Sequence, residues 1–433
     1  MMRLLLPLAG IVLSATSVSA VPDSSLLSHA RQSLSVRQSE SKAAIAALRD
    51  QGSPGLQAFL QTYPQPLPAE RSTPTPGSQR AILDQICQQK DCYASHLYWY
   101  TDLEQAKQAA QSSGKPILSL RLLGRLDQDL SCANSRFFRI ILYPNQEIAQ
   151  LLRDRFILHW QSVRPVPTVT IDFGDGRRLE RTLTGNSIHY ILDAQGRPVD
   201  ALPGLYGPAA FKRQLLLSKP LARQASGLTG SAHTALLRQY HRDRLAALET
   251  AWSQDLQRLG MNLSRDLPPP SVNQPPSAEL ASRIAITKAV VELPILQRIS
   301  RAELAPLTDA AAWQKLAQFY RQEARLDANS IALMRQKNPA WQTWTGRDPL
   351  QPVLQNFEQA IALDTVKNQY LLHSQLHEWF IAGETTAEVN SLTERVYSQL
   401  FLTPSSDPWL GLLPMDSYSG IEHEGLTQFL VHP

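Results

Sequence analysis

Between His96 and Phe211 the sequence alternates short apolar runs with amphipathic runs. An apolar run of about four to eight residues is typical of a buried strand, whereas a longer amphipathic run is typical of a helix that covers a sheet. Their alternation predicts an α/β region in which a mixed sheet is flanked by helices. This stretch constrains the fold of the chain more strongly than it constrains the function.

The first half of the region predicts a helix followed by a strand. Thr101-Asp102-Leu103-Glu104 matches a capping box, so a helix is expected to begin near Asp102 and to end at Gly114. The apolar run from Pro116 to Leu122 then predicts a buried strand. A loop and Cys132 follow this strand.

The second half of the region predicts elements that alternate in the same way. In chain order they are a helix from Asn145 to Asp154, a strand from Phe156 to Trp160, a hairpin at Gly174-Asp175-Gly176, a strand from Ile188 to Leu192 that turns at Asp193-Ala194-Gln195-Gly196, and a helix that begins at Gly207-Pro208-Ala209.

Residues 96 to 217 resemble the thioredoxin-like superfamily, and especially its exported members. The resemblance is carried by SGKPIL (Ser113 to Leu118), by Tyr143-Pro144-Asn145-Gln146-Glu147-Ile148 with Phe156 after it, and by the closing LDAQG turn. It implies a thioredoxin-like domain over residues 81–220, with a mixed sheet flanked by helices.

The resemblance also implies a site at Cys132. The family places Cys-x-x-Cys at a helix N-terminus, where Cys132 matches the first thiol and Ser135 stands in place of the second. An alternative register would make Asp129-x-x-Cys132 the motif. Since a serine cannot close a disulfide, the dithiol cycle is not available to this chain.

Ser187 falls at the position of the family's cis-proline, which faces the active-site cysteine and borders the substrate groove. A cis peptide bond before serine costs about 3 kcal/mol, against at most about 1 kcal/mol before proline. We therefore expect a trans bond and a groove of a different shape.

The parts of the chain that flank this region predict four further segments. Residues 1–20 combine Arg3, an apolar run and small residues before Ala20, which is typical of a signal peptide. Residues 21–63 predict a helical segment, residues 64–80 a proline-rich linker, and residues 230–433 a helical domain with an extended tail. We expect export to a periplasm or beyond after cleavage near Ala20, with no transmembrane segment in the mature chain.

Composition limits the classes of partner. The 433 residues carry 42 basic and 38 acidic side chains, a balance that does not favour nucleic-acid binding. We predict a protein or peptide partner and no cofactor. The three cysteines of an exported chain suggest one disulfide, between Cys87 and Cys92, and a free Cys132, although two unpaired thiols at Cys87 and Cys92 are the alternative.

His373 and His377 share one face of a predicted helix, at a spacing that can chelate a metal. The zinc-protease pattern requires Glu at the second position, where this chain has Ser374. Because the neighbouring residues are largely apolar, we expect both histidines to pack in the core and predict no metal. Glu422-His423-Glu424 in the tail is the segment that we consider able to meet this helix.

Three functional hypotheses follow from these patterns. The first is a binding or scaffolding module on a redox-degenerate thioredoxin-like fold. The second is a monothiol thiol-disulfide or glutathione-linked protein that uses Cys132. The third is a metalloprotein centred on the helix of His373 and His377.

Overall fold

The computed structural model describes residues 23–64, 77–182, 185–260, 310–337, 348–383, 388–401 and 403–406. The chain divides into two compact units, residues 1–65 and residues 66–433. The predicted signal peptide, residues 65–76 of the linker and the tail beyond residue 406, with Glu422, His423 and Glu424, lie outside the described residues.

The first unit contains helices. They are α1 (Ser24–Gln32), α2 (Gln38–Asp50) and α3 (Ser53–Thr62). The Asp23 carboxylate caps α1 by accepting a hydrogen bond from the Ser25 amide. Leu48 of α2 and Leu56 and Phe59 of α3 are buried, as expected for short amphipathic helices that bury one face.

The second unit contains the strands. They are β1 (Ile117–Leu123), β2 (Ile157–Arg164), β3 (Thr168–Asp172), β4 (Arg178–Thr182), β5 (Ser187–Leu192) and β6 (Pro198–Pro203). Four of them form one mixed sheet in the order β2-β1-β5-β6, in which β1 is parallel to β2 and antiparallel to β5. Strands β3 and β4 form a separate antiparallel hairpin. The predicted mixed sheet is therefore confirmed.

Helices accompany the sheet, as the sequence predicts. They are α4 (Gln79–Cys87), α5 (Leu103–Ser113), α6 (Ala133–Phe137), α7 (Gln146–Arg155) and α8 (Pro208–Ser226). Helix α5 ends at Gly114, whose φ of +65° is readily adopted by glycine.

The structure corrects the predicted capping box of α5, in which Thr101 and Glu104 were the capping side chains. Asp102, and not Thr101, caps the helix by accepting a hydrogen bond from the Gln105 amide at 3.0 Å. Glu104 forms an ion pair with Lys107 on the next turn. An aspartate at this position satisfies the free amide as well as threonine does.

Strand β2 is longer than predicted because it pairs with the full length of β1. The sequence suggests an end at Trp160, but the pairing with β1 continues to Arg164. Every residue of β1 is buried, since β2 and β5 lie on its two edges and helices cover the sheet.

The remaining helices form the helical part of the second unit. They are α9 (Gly230–Arg258), α10 (Ala310–Gln318), α11 (Ala328–Lys337), α12 (Leu350–Lys367), α13 (Ser374–Ala382) and α14 (Val389–Arg395). A π-helical turn, Asn368–His373, joins α12 to α13, and another, Val396–Leu400, follows α14. Within the described ranges no helix is long and apolar enough to cross a membrane.

The sheet and the helical part share one hydrophobic core. Buried side chains of the strands, such as Tyr190, belong to the same cluster as Leu376, Trp379 and Tyr397 of the C-terminal helices. At one close approach, the amide of Gly207 donates a 2.7 Å hydrogen bond to the hydroxyl of Thr365. The helical part therefore packs directly on the α/β part.

Candidate functional site

Cys132 is the N-cap of helix α6, at the end of the loop that follows β1. Its Sγ accepts a hydrogen bond from the Ser135 amide at 3.4 Å, as expected for a side chain that caps a helix. The Ser131 hydroxyl donates to Ser135 Oγ at 2.9 Å. All three side chains are fully buried.

Ser187 lies beside this turn. Asn134, in the first turn of α6, donates a 2.8 Å hydrogen bond from its amide nitrogen to Ser187 Oγ. No described peptide bond is cis, so the expected trans bond before Ser187 is confirmed. The structure thus brings Cys132, Ser135 and Ser187 together, although they come from two separate parts of the sequence.

Burial controls the ionisation of Cys132. Desolvation raises the pKa of its thiol, and this effect is the largest one acting on the group. The amides of Ser135 and Asn134, together with Arg139 and Arg136, act in the opposite direction but do not outweigh it. Cys132 is therefore a neutral thiol near pH 7, which makes it a poor nucleophile.

The C-terminal segment, defined here as residues 389–401 together with Thr403, is bonded to the strand ends around this site. The hydroxyl of Tyr397 donates to the carbonyl oxygen of Asn186 at 3.1 Å. Asn186 donates from its side chain to Thr403 Oγ1 at 3.3 Å, and Arg121 of β1 donates to Asn390 Oδ1 at 3.1 Å. The segment is therefore held by hydrogen bonds to both β1 and the residue before β5.

Cys87 and Cys92 form a disulfide with their Cα atoms 6.3 Å apart, a separation typical of disulfides. Cys132 is the free cysteine. The Asp84 carboxylate accepts a 3.0 Å hydrogen bond from the Cys92 amide, which fixes the turn that brings the two sulfurs together. The prediction that this pair is close enough to bridge is confirmed.

His373 and His377 belong to a buried polar cluster, which we call the Asp200 cluster. It consists of Asp200 on β6, Ser218 on α8, Tyr240 and His241 on α9, His373 at the end of the π-helical turn and His377 on α13. The Asp200 carboxylate accepts from His373 Nε2 at 3.0 Å, Ser218 Oγ at 2.5 Å, Tyr240 Oη at 3.0 Å and the Ala201 amide at 2.8 Å. A buried carboxylate with this many donors is fully satisfied.

The other contacts of the cluster determine which histidine nitrogen carries hydrogen. Nε2 of His241 lies 3.0 Å from the carbonyl oxygen of Val199, which can only accept, so this nitrogen carries the hydrogen. In neutral His241, Nδ1 is then an acceptor. It lies 2.8 Å from Nδ1 of His377, which must be the donor. Nε2 of neutral His377 therefore carries a lone pair.

The charges in the cluster follow from its burial. Desolvation opposes ionisation of Asp200, but the neighbouring His373, which also donates a hydrogen bond to the carboxylate, is the main group that holds the pKa of this carboxyl well below the usual value. Burial lowers the pKa of His241 to about 4 and that of His377 well below its usual value. At neutral pH the cluster contains an aspartate anion together with neutral His241 and His377.

Sequence reasoning identified His373 and His377 but missed Asp200 and His241. Asp200 is an acidic residue in the strand Pro198–Pro203, whose residues are all buried. A carboxylate in a buried strand must have partners, but the sequence patterns predicted no strand at residues 198–203, so this signal appears only once the strand is known. The signal does not name those partners, because they lie on helices distant in the chain.

No protein-family model, no curated protein and no solved structure matches this chain. The assignment of the site therefore depends on its geometry and chemistry.

Proposed function

We propose that this protein is an exported, thioredoxin-like protein that binds a protein or peptide and whose redox site has lost its chemistry. The observation that carries the proposal is the state of Cys132, a fully buried neutral thiol with Ser135 in the resolving position. Thiol-disulfide exchange requires an accessible thiolate and a second thiol to release the product. Cys132 is buried and neutral, and Ser135 supplies no second thiol.

The thioredoxin-like assignment is supported by the arrangement around α6. Cys132 follows the central strand β1 and caps a helix, as the family's first cysteine does. Ser187 begins the neighbouring strand β5 and contacts Asn134 of the same turn, at the position where the family has its proline. The export proposal depends on the sequence of residues 1–20 and on a disulfide that requires an oxidising compartment.

The hairpin of β3 and β4 is the surface that we assign to the partner. Ile171 and Phe173 are exposed on it, and Leu130 is exposed in the adjoining loop. Thr182 of β4 donates to the carbonyl oxygen of Ser131, which connects the hairpin to the turn at Cys132. In the described sheets β3 pairs with β4 alone, so an extended peptide can add to the free edge of either strand.

Selection of binders from a random peptide library tests this assignment. We expect enriched peptides to bind the purified protein and Phe173→Ser to weaken that binding by about tenfold. Leu216→Ser on α8 is the matched control, because it removes an exposed apolar side chain from a different surface. Equal effects of the two substitutions, or selection that enriches no sequence, would contradict binding at the hairpin.

Thiol reactivity distinguishes this proposal from a monothiol enzyme. We expect iodoacetamide to modify Cys132 slowly in the native protein at neutral pH and rapidly after unfolding. Rapid glutathionylation that is abolished by Cys132→Ser, followed by turnover with added glutathione, would favour the enzyme instead.

A further inference from the structure

The Asp200 cluster contains two polar atoms whose hydrogen-bonding capacity is unused. Nδ1 of His373 and Nε2 of His377 are buried and have no hydrogen-bond partner among the described residues. The tautomers derived above leave a lone pair on Nε2 of His377. A buried polar atom without a partner costs about 1–3 kcal/mol, so two such atoms in one cluster need an explanation.

Contrary to the expectation from the sequence alone, we propose that Asp200, His373 and His377 bind a divalent transition ion of the zinc class. Each residue offers one ligand atom, and the three atoms lie within 4.8 Å of one another. Ligands about 2 Å from a tetrahedral ion lie about 3.3 Å apart, so side-chain movements on the order of 1 Å complete the site. Imidazole nitrogen and carboxylate oxygen are both ordinary zinc ligands.

The surroundings orient the ligands in the manner that a metal site requires. Metal-binding side chains are usually held by hydrogen bonds from groups that do not touch the metal. Here Ser218 and Tyr240 hold Oδ2 of Asp200, and the Ala201 amide and His373 Nε2 both bond Oδ1. An ion that takes Oδ1 and His373 Nε2 as ligands displaces the hydrogen between them, which leaves as a proton. His241, fixed by the Val199 carbonyl, accepts from Nδ1 of His377 and directs its ring. His241 is thus a positioning residue.

Burial indicates a structural role for the ion. Asp200, His373 and His377 are each at most 1% exposed, so no substrate reaches them without rearrangement of the core. The ion joins β6 to α13 and to the π-helical turn before it, which connects the sheet with the helical part. A closed site of this type contributes its binding free energy to folding. The proposal does not depend on the function assigned to Cys132 or to the hairpin.

Metal titration of the untagged full-length protein tests the site. After removal of metal with a chelator, we expect one equivalent of Zn²⁺ to bind and to raise the melting temperature, and one equivalent of Co²⁺ to give visible ligand-field absorption. His377→Gln and His373→Gln should abolish stoichiometric binding. His233→Gln is the control, because His233 is a half-buried histidine at the start of α9 outside the cluster.

His241→Phe tests the positioning role. It should retain the stoichiometry and the Co²⁺ spectrum of the wild type while weakening the affinity about 10–100-fold. Unchanged affinity would show that His241 does not orient His377 and would remove that part of the proposal.

X-ray absorption of the zinc-loaded wild type keeps the proposal testable if the variants fail to fold. We expect scattering from two imidazole rings and from oxygen, without sulfur. A folded metal-free wild type that takes up no zinc or cobalt, or a spectrum with a sulfur ligand from Cys132, would overturn the site.

Discussion

The hydroxyl of Tyr397 donates a 3.1 Å hydrogen bond to the carbonyl oxygen of Asn186, the residue immediately before Ser187. Tyr397 is fully buried, and desolvation, followed by the nearby Cys132, raises the pKa of its phenol well above the usual value. Tyr397 therefore occupies the Asn186 carbonyl beside Ser187, and residues 389–401 cover the start of β5 at this point.

Removal of the Tyr397 side chain should make Cys132 reactive. We expect Tyr397→Ala to raise the alkylation rate of Cys132 at least about tenfold, because the loss of a large buried side chain favours local opening. Tyr397→Phe removes only one hydrogen bond and should raise the rate about fivefold or less. The free energy of unfolding of each variant is measured in urea, and the change in alkylation rate is compared with the change in this global stability. If the alkylation rates change only as global stability changes, the segment is not a local cover.

Much of the α/β part is predictable because its signals are local. The run from Pro116 to Leu122 and the turn Asp193-Ala194-Gln195-Gly196 each indicate their structure within a few residues, and both lie within about a residue of their predicted positions. The end of β2 was not predictable in this way. Its residues beyond Trp160 become strand because β1 is available to pair with them.

The contacts that define the candidate sites are not predictable from sequence patterns. Tyr397 and Asn186 are 211 residues apart, and His373 and Asp200 are 173 residues apart. Neither separation leaves a periodic signal, since the two partners of each pair belong to different elements. The sequence indicated that His373 and His377 share a helix face, whereas only packing shows that this face meets a carboxylate.

The disulfide between Cys87 and Cys92 should be detectable by peptide mapping without reduction. Trypsin cleaves after Arg80, Lys90 and Lys107, so the two cysteines lie on adjacent peptides that remain joined only if the disulfide is present. The Cys87→Ser, Cys92→Ser double variant should lose about 2 kcal/mol of unfolding free energy, the value expected for a short closed loop. A linkage from either residue to Cys132 would contradict the assignment.

Gly207 lies where the start of α8 contacts the helical part. A Cβ atom at this position would lie 2.4 Å from the Glu323 carbonyl oxygen and 2.7 Å from the Ala324 Cα, both of which are backbone atoms. We expect Gly207→Ala to lower the free energy of unfolding by about 1–3 kcal/mol, measured in urea. Gly227→Ala is the matched control, because its nearest contact is at 3.7 Å and its backbone is right-handed helical. Similar losses in both variants would argue against a tight contact at Gly207.

His159 should make the protein sensitive to acid. Its Nδ1 lies 2.8 Å from the Ser119 hydroxyl between β1 and β2, and burial, followed by the charge of Arg121, lowers its pKa to about 3. Below about pH 6.5 the unfolded chain binds a proton at this residue and the folded chain does not, so the unfolded state is favoured as pH falls. This loss of unfolding free energy is absent above pH 6.5 and reaches about 2 kcal/mol at pH 5.

Urea unfolding at pH 7 and pH 5 measures this loss. The control variant is His159→Asn, which cannot titrate and keeps a group able to bond Ser119. Wild type should lose about 2 kcal/mol more than His159→Asn between these pH values, and equal losses would show that His159 is not the group responsible.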